Sequence, residues 1–198
     1  MKIELDHLNG EKLHNLIGGV TVPRPVALIS TVDEGGIYNA APYSAIASVC
    51  MKPPIMCVSF GRRRGQKKDT LRNIEATGDF VINIMDETLI KQTIQTAANY
   101  PPDVDEISKV GFTAAASDRI KSPRVAEAAI SLECRMVQRL QFGQDQDFRD
   151  IIFGEILLMH VKDNIMVNGN IDPARLRRCW RRRCRARRPS RTPRCSRS

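Results

Sequence analysis

Apolar residues fall in short runs broken by glycine, proline or clustered charge. Val26-Ala27-Leu28-Ile29-Ser30-Thr31-Val32 is apolar and β-branched, and Asp33-Glu34-Gly35-Gly36 breaks it with hairpin-turn residues. Ile37-Tyr38-Asn39-Ala40 reads as the returning strand, and Ile55-Met56-Cys57-Val58-Ser59-Phe60, after Pro53-Pro54, as the next. Asp79-Phe80-Val81-Ile82-Asn83-Ile84 alternates polar and apolar positions, the period of a strand. Leu132–Phe142 and Phe148–Val161 are longer strand patterns. Gly143-Gln144-Asp145-Gln146-Asp147 between them predicts an antiparallel hairpin.

Helical patterns are shorter. Asn9 is placed to cap a helix with Leu8, Leu13, Leu16 and Ile17 on one side, and Gly18-Gly19 is expected to stop it. The prolines of Val22-Pro23-Arg24-Pro25 then hold the backbone extended. Asp69–Thr77 is expected as a helix with Asp69 as N-cap and Gly78 just past its end. Glu87–Ala98 places Leu89, Ile90, Thr93, Ile94 and Ala97 on one helical face, and Tyr100-Pro101-Pro102 closes it. The following PDVDEISKVGF reads as a loop with room for one helical turn. Six to eight strands, three short helices and no βαβ rhythm predict a mainly β chain, an antiparallel barrel or sandwich with helical decorations.

Composition changes this picture at the C-terminus. The 198 residues, 42% hydrophobic and 27% charged, suit one soluble domain with a substantial core. The net charge of +9 resembles a nucleic-acid signal until it is located. Residues 174–198 carry 12 arginines and no acid; without these 12, the 31 basic residues fall to 19 against 22 acidic ones. The body, residues 1–177, is therefore expected as the domain, and the Arg-rich residues 178–198 as a disordered tail unable to bury enough apolar surface. With no apolar run of bilayer length and no signal-peptide pattern, a cytoplasmic location is expected. Cys50, Cys57 and Cys134 lie in apolar runs and read as buried thiols, while Cys179, Cys184 and Cys195 belong to the tail. No spacing predicts a metal site.

Two stretches point to chemistry. Ala41-Pro42-Tyr43-Ser44-Ala45-Ile46-Ala47-Ser48-Val49 is dominated by small residues, which fits either a tightly packed sheet edge or a place where a non-protein group approaches the backbone. Gly61–Lys68 (GRRRGQKK) is a basic loop leading into a helix. Ser59, the loop cations, Lys68 and Thr70 could cradle an anion at that helix start, or the loop could simply be solvated. Asp69 argues mildly against the anion. No catalytic constellation is found: His7, His14 and His160 stand apart, His160 reads as a core or interface residue, and there is neither a P-loop nor a G-x-G-x-x-G.

The ordered set Arg24-Pro25-Val26-Ala27-Leu28-Ile29-Ser30-Thr31, Asn39-Ala40-Ala41-Pro42-Tyr43-Ser44, Pro53-Pro54, Ser59, Lys68-Asp69-Thr70, Asn73-Ile74 and Phe80-Val81-Ile82-Asn83 resembles the flavin-reductase-like FMN-binding split barrels. That family includes flavoredoxins and the reductase components of two-component monooxygenases. The resemblance runs from about Leu13 to Arg177. It implies a Greek-key split β-barrel, a homodimer, and FMN near the subunit interface. Arg24 is among its carrying residues. Ala41, Ser44 and Ala45 would let the flavin lie close to backbone, and Asn39 and Ser44 would bond its polar edges. Ser59, Lys68 and Thr70 would hold the phosphate, helped by Arg62 or Arg64. The implied reaction is hydride transfer from NADH or NADPH to flavin, with electrons passing on to free flavin, oxygen or a separate partner such as a monooxygenase. The cofactor carries that chemistry, so no catalytic side chain is expected.

The competing reading is a non-enzymatic FMN-holding electron carrier or binding protein whose basic tail contacts nucleic acid through phosphate neutralisation. The tail departs from the resemblance. Where a Pro-Val-x-Arg-Leu-Gly-Gly-like segment is expected, the chain reads RCWRRRCRARRPSRTPRCSRS, the composition of a GC-rich gene translated out of frame. A frameshift near Arg177 is the expectation. It fails if neither other reading frame of the gene encodes such a segment.

Overall fold

The computed structural model describes residues 1–62, 65–144 and 148–176, and the backbone of Trp180 and Arg181. The chain divides into compact units, with Met1–Arg24 in one and Pro25–Trp180 in the other. The boundary expected at Arg177, and the tail beyond it, lie outside the described residues.

In the first unit, Asn9 caps α1 (Gly10–Val20) as its side chain accepts from the Lys12 amide at 2.8 Å. Gly18 and Gly19 do not stop this helix. Neither takes the left-handed conformation that would end it, and the turn closes at Thr21, whose hydroxyl reaches back to the carbonyls of Ile17 and Gly18.

The second unit is built on seven strands: β1 (Ala27–Val32), β2 (Tyr38–Tyr43), β3 (Ile46–Met51), β4 (Pro54–Gly61), β5 (Asp79–Ile84), β6 (Ile130–Phe142) and β7 (Arg149–Val161). They form one antiparallel sheet in the order β2-β1-β5-β6-β7-β4-β3. Its two end strands are consecutive in the chain, joined only by Ser44 and Ala45. So short a link spans about 11 Å at most. The sheet must therefore curl until its edges meet. The Ser59 amide donates to the Ala45 carbonyl at this seam, and the rings of Tyr43 and Phe60 pack with centroids 4.6 Å apart.

Curling gives each strand an inner face. Ala27 and Ile29 join Phe60, Phe80, Ile82, Leu132 and Ile152 in the barrel core, while Leu28 faces a second cluster with Met85, Ile107, Phe112 and Val125. Burial on both sides is why apolar residues stand at successive positions of β1, where Ser30 and Thr31 are buried too. Gly154 of β7 sits against the Phe80 ring, and a β-carbon there would lie 2.5 Å from Phe80 Cζ and 3.2 Å from Cys134 Cβ. Gly154→Ala is expected to cost about 1–3 kcal/mol by overpacking. A lowered urea midpoint with unchanged slope would show it; an unchanged midpoint would mean that the core yields.

Other expectations are corrected. Lys68, not Asp69, holds the N-cap position of α2 (Asp69–Thr77); Asp69 is the first helical residue and forms an ion pair with Arg72. Gly78 ends α2 with φ 75°, as its position implied. The helix expected over 87–98 is a 3-10 turn, Glu87–Leu89, followed by α3 (Ile90–Gln95). Its buried positions are Thr93 and Thr96, whose hydroxyls bond the carbonyls of Leu89 and Thr93, whereas Ile94 is 62% exposed. Hydroxyls satisfied by the backbone can be buried, which hydrophobic periodicity does not register. The one-turn helix is α4 (Glu106–Lys109), capped by Asp105. Cys134 is buried, but Cys50 and Cys57 are only half-buried because their strands have an outward face. Among the described residues, no helix is long and apolar enough to cross a membrane.

Candidate functional site

β2, α2 and the segment from Thr96 to Glu106 enclose a cavity of about 440 Å³. Asn39 and Ala41 come from β2; Gln66, Lys67 and Lys68 from the end of the basic loop; Asp69, Thr70 and Arg72 from α2. The start of α2 lacks a side-chain cap, because Lys68 carries no acceptor. The backbone N–H groups that open α2, without a side-chain cap, and the positive end of the helix dipole thus meet this cavity beside Lys68 and Thr70, an arrangement that suits an anion.

Behind the cavity lies a buried polar chain. Asn39 Nδ2 donates to Glu106 Oε2 at 2.7 Å, and the Ala40 amide donates to the same oxygen at 2.9 Å. Thr70 Oγ1 donates to Asn39 Oδ1 at 2.7 Å, and Asn73 Nδ2 to Thr31 Oγ1 at 3.1 Å. Burial raises the Glu106 carboxyl to about 7; the Ala40 amide opposes this, and the charges of Asp69 and Asp105 add to it. Tyr43 Oη is buried near Thr70 without a well-formed hydrogen bond, and burial drives its phenol upward. Lys68 Nζ sits over the Tyr43 ring, 5.4 Å from its centroid.

Of the residues singled out from sequence, Asn39, Ala41, Lys68 and Thr70 meet at this cavity. Ser44, Ala45 and Ser59 lie at the seam: Ser44 and Ser59 are half-buried, and Ala45 is exposed. Arg24 is half-buried in the other unit, its Nε shielded without a hydrogen-bond partner. Arg64 lies outside the described residues. Arg62, expected at the phosphate, turns away: Nε is 3.4 Å from Asp150 Oδ2, and the guanidinium lies 4.7 Å from the Phe148 ring centroid. The reason is Asp150, a fully buried carboxylate that requires cationic partners.

The sequence reading missed Glu106, Asn73 and Thr31. Glu106 bonds Asn39 from 67 residues away and Asn73 bonds Thr31 from 42, so no local pattern marks these links. His160 is half-buried, with Nε2 2.6 Å from Glu133 Oε1 and 3.7 Å from Asp118 Oδ2. Glu133 also accepts the backbone N–H groups of Asp118 and Arg119, so this cluster fastens the 118–119 turn to β6 and β7.

The comparisons agree with this architecture. Component B of nitrilotriacetate monooxygenase from Bacillus cereus superposes with a TM-score of 0.87 at 33% identity, covering 91% of each chain. A split-barrel-domain chain from Shewanella frigidimarina superposes at 0.78 with 23% identity over 91% of this chain and 94% of its own, a likeness of fold alone. The reductase component of a 4-nitrophenol 4-monooxygenase/4-nitrocatechol 2-monooxygenase from Rhodococcus opacus is 30% identical over 150 residues, 73% of this chain and 70% of that one. Residues 20–174 match the flavin reductase like domain, and the chain, a split barrel, belongs to that flavin-reductase-like family.

Proposed function

We propose that this chain binds FMN in the Asn39–Thr70 cavity and works as an NAD(P)H-dependent flavin oxidoreductase serving a separate acceptor, such as a monooxygenase component. The observation that carries the reading is the uncapped start of α2 opening, beside Lys68 and Thr70, into a cavity of cofactor size. The residues present suit a flavin phosphate: a lysine and the backbone N–H groups that open α2 lie at one end, with the Thr70 hydroxyl bracing Asn39 behind them. Ala41 and Pro42 on the neighbouring strand leave room for a flat group against the backbone. When bound, the flavin supplies acceptance of a hydride from NADH or NADPH and its onward delivery. The chain's own residues bind, orient and exclude water. Two relatives are named as parts of monooxygenase systems, which supports a reductase role with a partner chain.

A homodimer belongs to the same reading. Ser59, Ile151 and Leu140 stand in register across β4, β7 and β6, as do Cys57, Phe153 and Gln138, all on the side opposite the core residues Val58, Phe60 and Ile152. This outward sheet face is apolar, and Val49 and Met51 of β3 are 51% and 73% exposed. A second copy packed there would cover the face and bring the seam residues Ser44, Ala45 and Ser59 toward the flavin.

The visible spectrum tests the proposal. Protein mixed with FMN is expected to retain a yellow chromophore after gel filtration and to bleach when NADH or NADPH is added anaerobically. A yellow protein indifferent to both nucleotides would be an electron carrier, and failure to take up FMN would undo the site. Lys68→Ala should weaken FMN binding about 10- to 100-fold, the value of one charge-assisted hydrogen bond. An unchanged Kd would remove Lys68 from the site.

A further inference from the structure

We propose that Glu106 is a positioning residue that couples anion binding in the cavity to the uptake of a proton. It rests on the reading that a flavin phosphate binds there, and goes beyond it by assigning a role to a residue that need not touch the ligand.

Hydrogen-bond direction gives Glu106 its hold on the site. Asn39 Nδ2 and the Ala40 amide both donate to Glu106 Oε2, which fixes the Asn39 amide so that Oδ1 receives the Thr70 hydroxyl. Glu106 thereby commits the Thr70 hydroxyl proton to Asn39 and ties the first turn of α2, whose backbone N–H groups face the anion, to β2. Both donors use the same oxygen. No hydrogen bond to Oε1 is present among the described residues, so Oε1 can take a proton without disturbing either bond. Protonation changes charge and keeps geometry.

Charge couples Glu106 to an anion in the cavity. Glu106 lines the cavity while only 7% exposed, so its anion is poorly screened there. Two further carboxylates raise the negative potential at this group: Asp69 from α2 and Asp105 from the cap of α4. The nearby cations are partly committed. Lys67 pairs with Glu75 at 2.8 Å, and Arg72 pairs with Asp69. Lys68 Nζ lies over the Tyr43 ring on the same rim. A phosphate dianion entering such a site meets a buried carboxylate whose proton is held to about neutral pH by burial. Binding and protonation then favour each other, and the linkage is reciprocal.

The sign is distinctive. Above about pH 6.5 an FMN phosphate is mostly dianionic, so its own ionisation would leave affinity flat or rising with pH. Deprotonation of Glu106 makes affinity fall. Gln in place of Glu106 keeps an oxygen to accept from Asn39 and Ala40 and stays neutral, so it imitates the protonated state. Ala removes the acceptor and frees Asn39.

The experiment is FMN titration by fluorescence quenching from pH 6.5 to 8.5 for wild type, Glu106→Gln and Glu106→Ala, with calorimetry in two buffers to count protons. Wild-type Kd is expected to rise about tenfold across this range, the size of one partly screened like-charge contact, with net proton uptake near neutral pH. E106Q should stay at the tight end with little uptake, and E106A should bind weakly at every pH. Parallel pH profiles for wild type and E106Q, both binding FMN, would overturn the coupling and leave the flavin site standing. E106A matching E106Q throughout would overturn the positioning role. If no variant binds FMN, the proposed function falls and this inference with it.

Discussion

Replacing Asp150 with alanine is expected to destabilise the barrel by roughly 3–5 kcal/mol, the cost of breaking a buried ion pair from one side. Asp150 is fully buried in β7, where Oδ1 accepts from Arg139 Nε at 2.9 Å, Arg139 Nη2 at 2.6 Å and Gln141 at 2.8 Å, while Oδ2 faces Arg62 Nε at 3.4 Å. Its removal takes the carboxylate from Arg62 and leaves Arg139 with Glu75 alone, and both guanidinium groups are largely shielded from water. The damage would reach the site, because Arg139 also pairs with Glu75, which holds Lys67. This chain of charges ties down both ends of the basic loop, at Arg62 and at Lys67. FMN affinity should therefore fall even in conditions where D150A stays folded.

The pH dependence of that stability follows from the same contacts. Burial pushes the Asp150 carboxyl up, but the hydrogen bonds from Arg139 and Gln141 and the charges of Arg139 and Arg62 outweigh it and hold the group below the ordinary aspartate value. A depressed folded-state value means that the stabilisation is fully present above an unfolded value of about 4 and is lost as pH falls below it. Wild type should thus lose more stability than D150N between neutral pH and pH 3. Denaturation midpoints at both pH values measure this. A D150A midpoint shift worth under about 1 kcal/mol, within the range of an exposed pair, would show that the network is not needed.

Much of the barrel was legible because its strands are buried in ways that repeat locally. β5 was read end to end from alternation, and the β6–β7 hairpin from two long strand patterns around a polar turn. The curl of the sheet was not legible from any one run, since it follows from the sheet order, in which two residues join opposite edges. At the site, the local features were visible: a lysine and a threonine at a helix start, and small residues on the facing strand. What escaped was long-range pairing. Arg62 looked like a phosphate ligand because the loop is basic, yet its partner Asp150 is 88 residues away. Glu106 looked like part of a loop, although it orients Asn39 from 67 residues along the chain. Charge pattern marks where cations are, but only the fold shows which of them are already taken.

Asn83→Ala is expected to cost about 4 kcal/mol, because one side chain satisfies buried polar groups on three segments, at about 1–3 kcal/mol for each left orphaned. Asn83 is fully buried in β5. Its Nδ2 donates to the Leu28 carbonyl at 3.0 Å and to Ser30 Oγ at 2.9 Å, and its Oδ1 accepts from the Val125 amide at 3.0 Å and Ser131 Oγ at 2.9 Å. These partners belong to β1, to the 123–125 segment and to β6, so the amide fastens three elements beside the barrel core. Ser30 keeps one partner after the mutation, since it also donates to the Pro123 carbonyl at 2.5 Å. The Leu28 carbonyl loses this side-chain donor but stays in the β1–β5 ladder opposite residue 83, whereas the Val125 amide and the Ser131 hydroxyl lose the Asn83 acceptor. Asn83→Asp should be nearly as damaging, for a carboxylate accepts but cannot donate and would be buried without a cation. None of these groups lines the Asn39–Thr70 cavity, so FMN affinity should be unchanged at temperatures where N83A remains folded. Urea unfolding followed by far-UV circular dichroism, with FMN titration on the same sample, separates the two effects. A midpoint equal to that of wild type would mean that water replaces the amide at no cost, and a large loss of FMN affinity in folded N83A would mean that β1 and β5 transmit strain to β2.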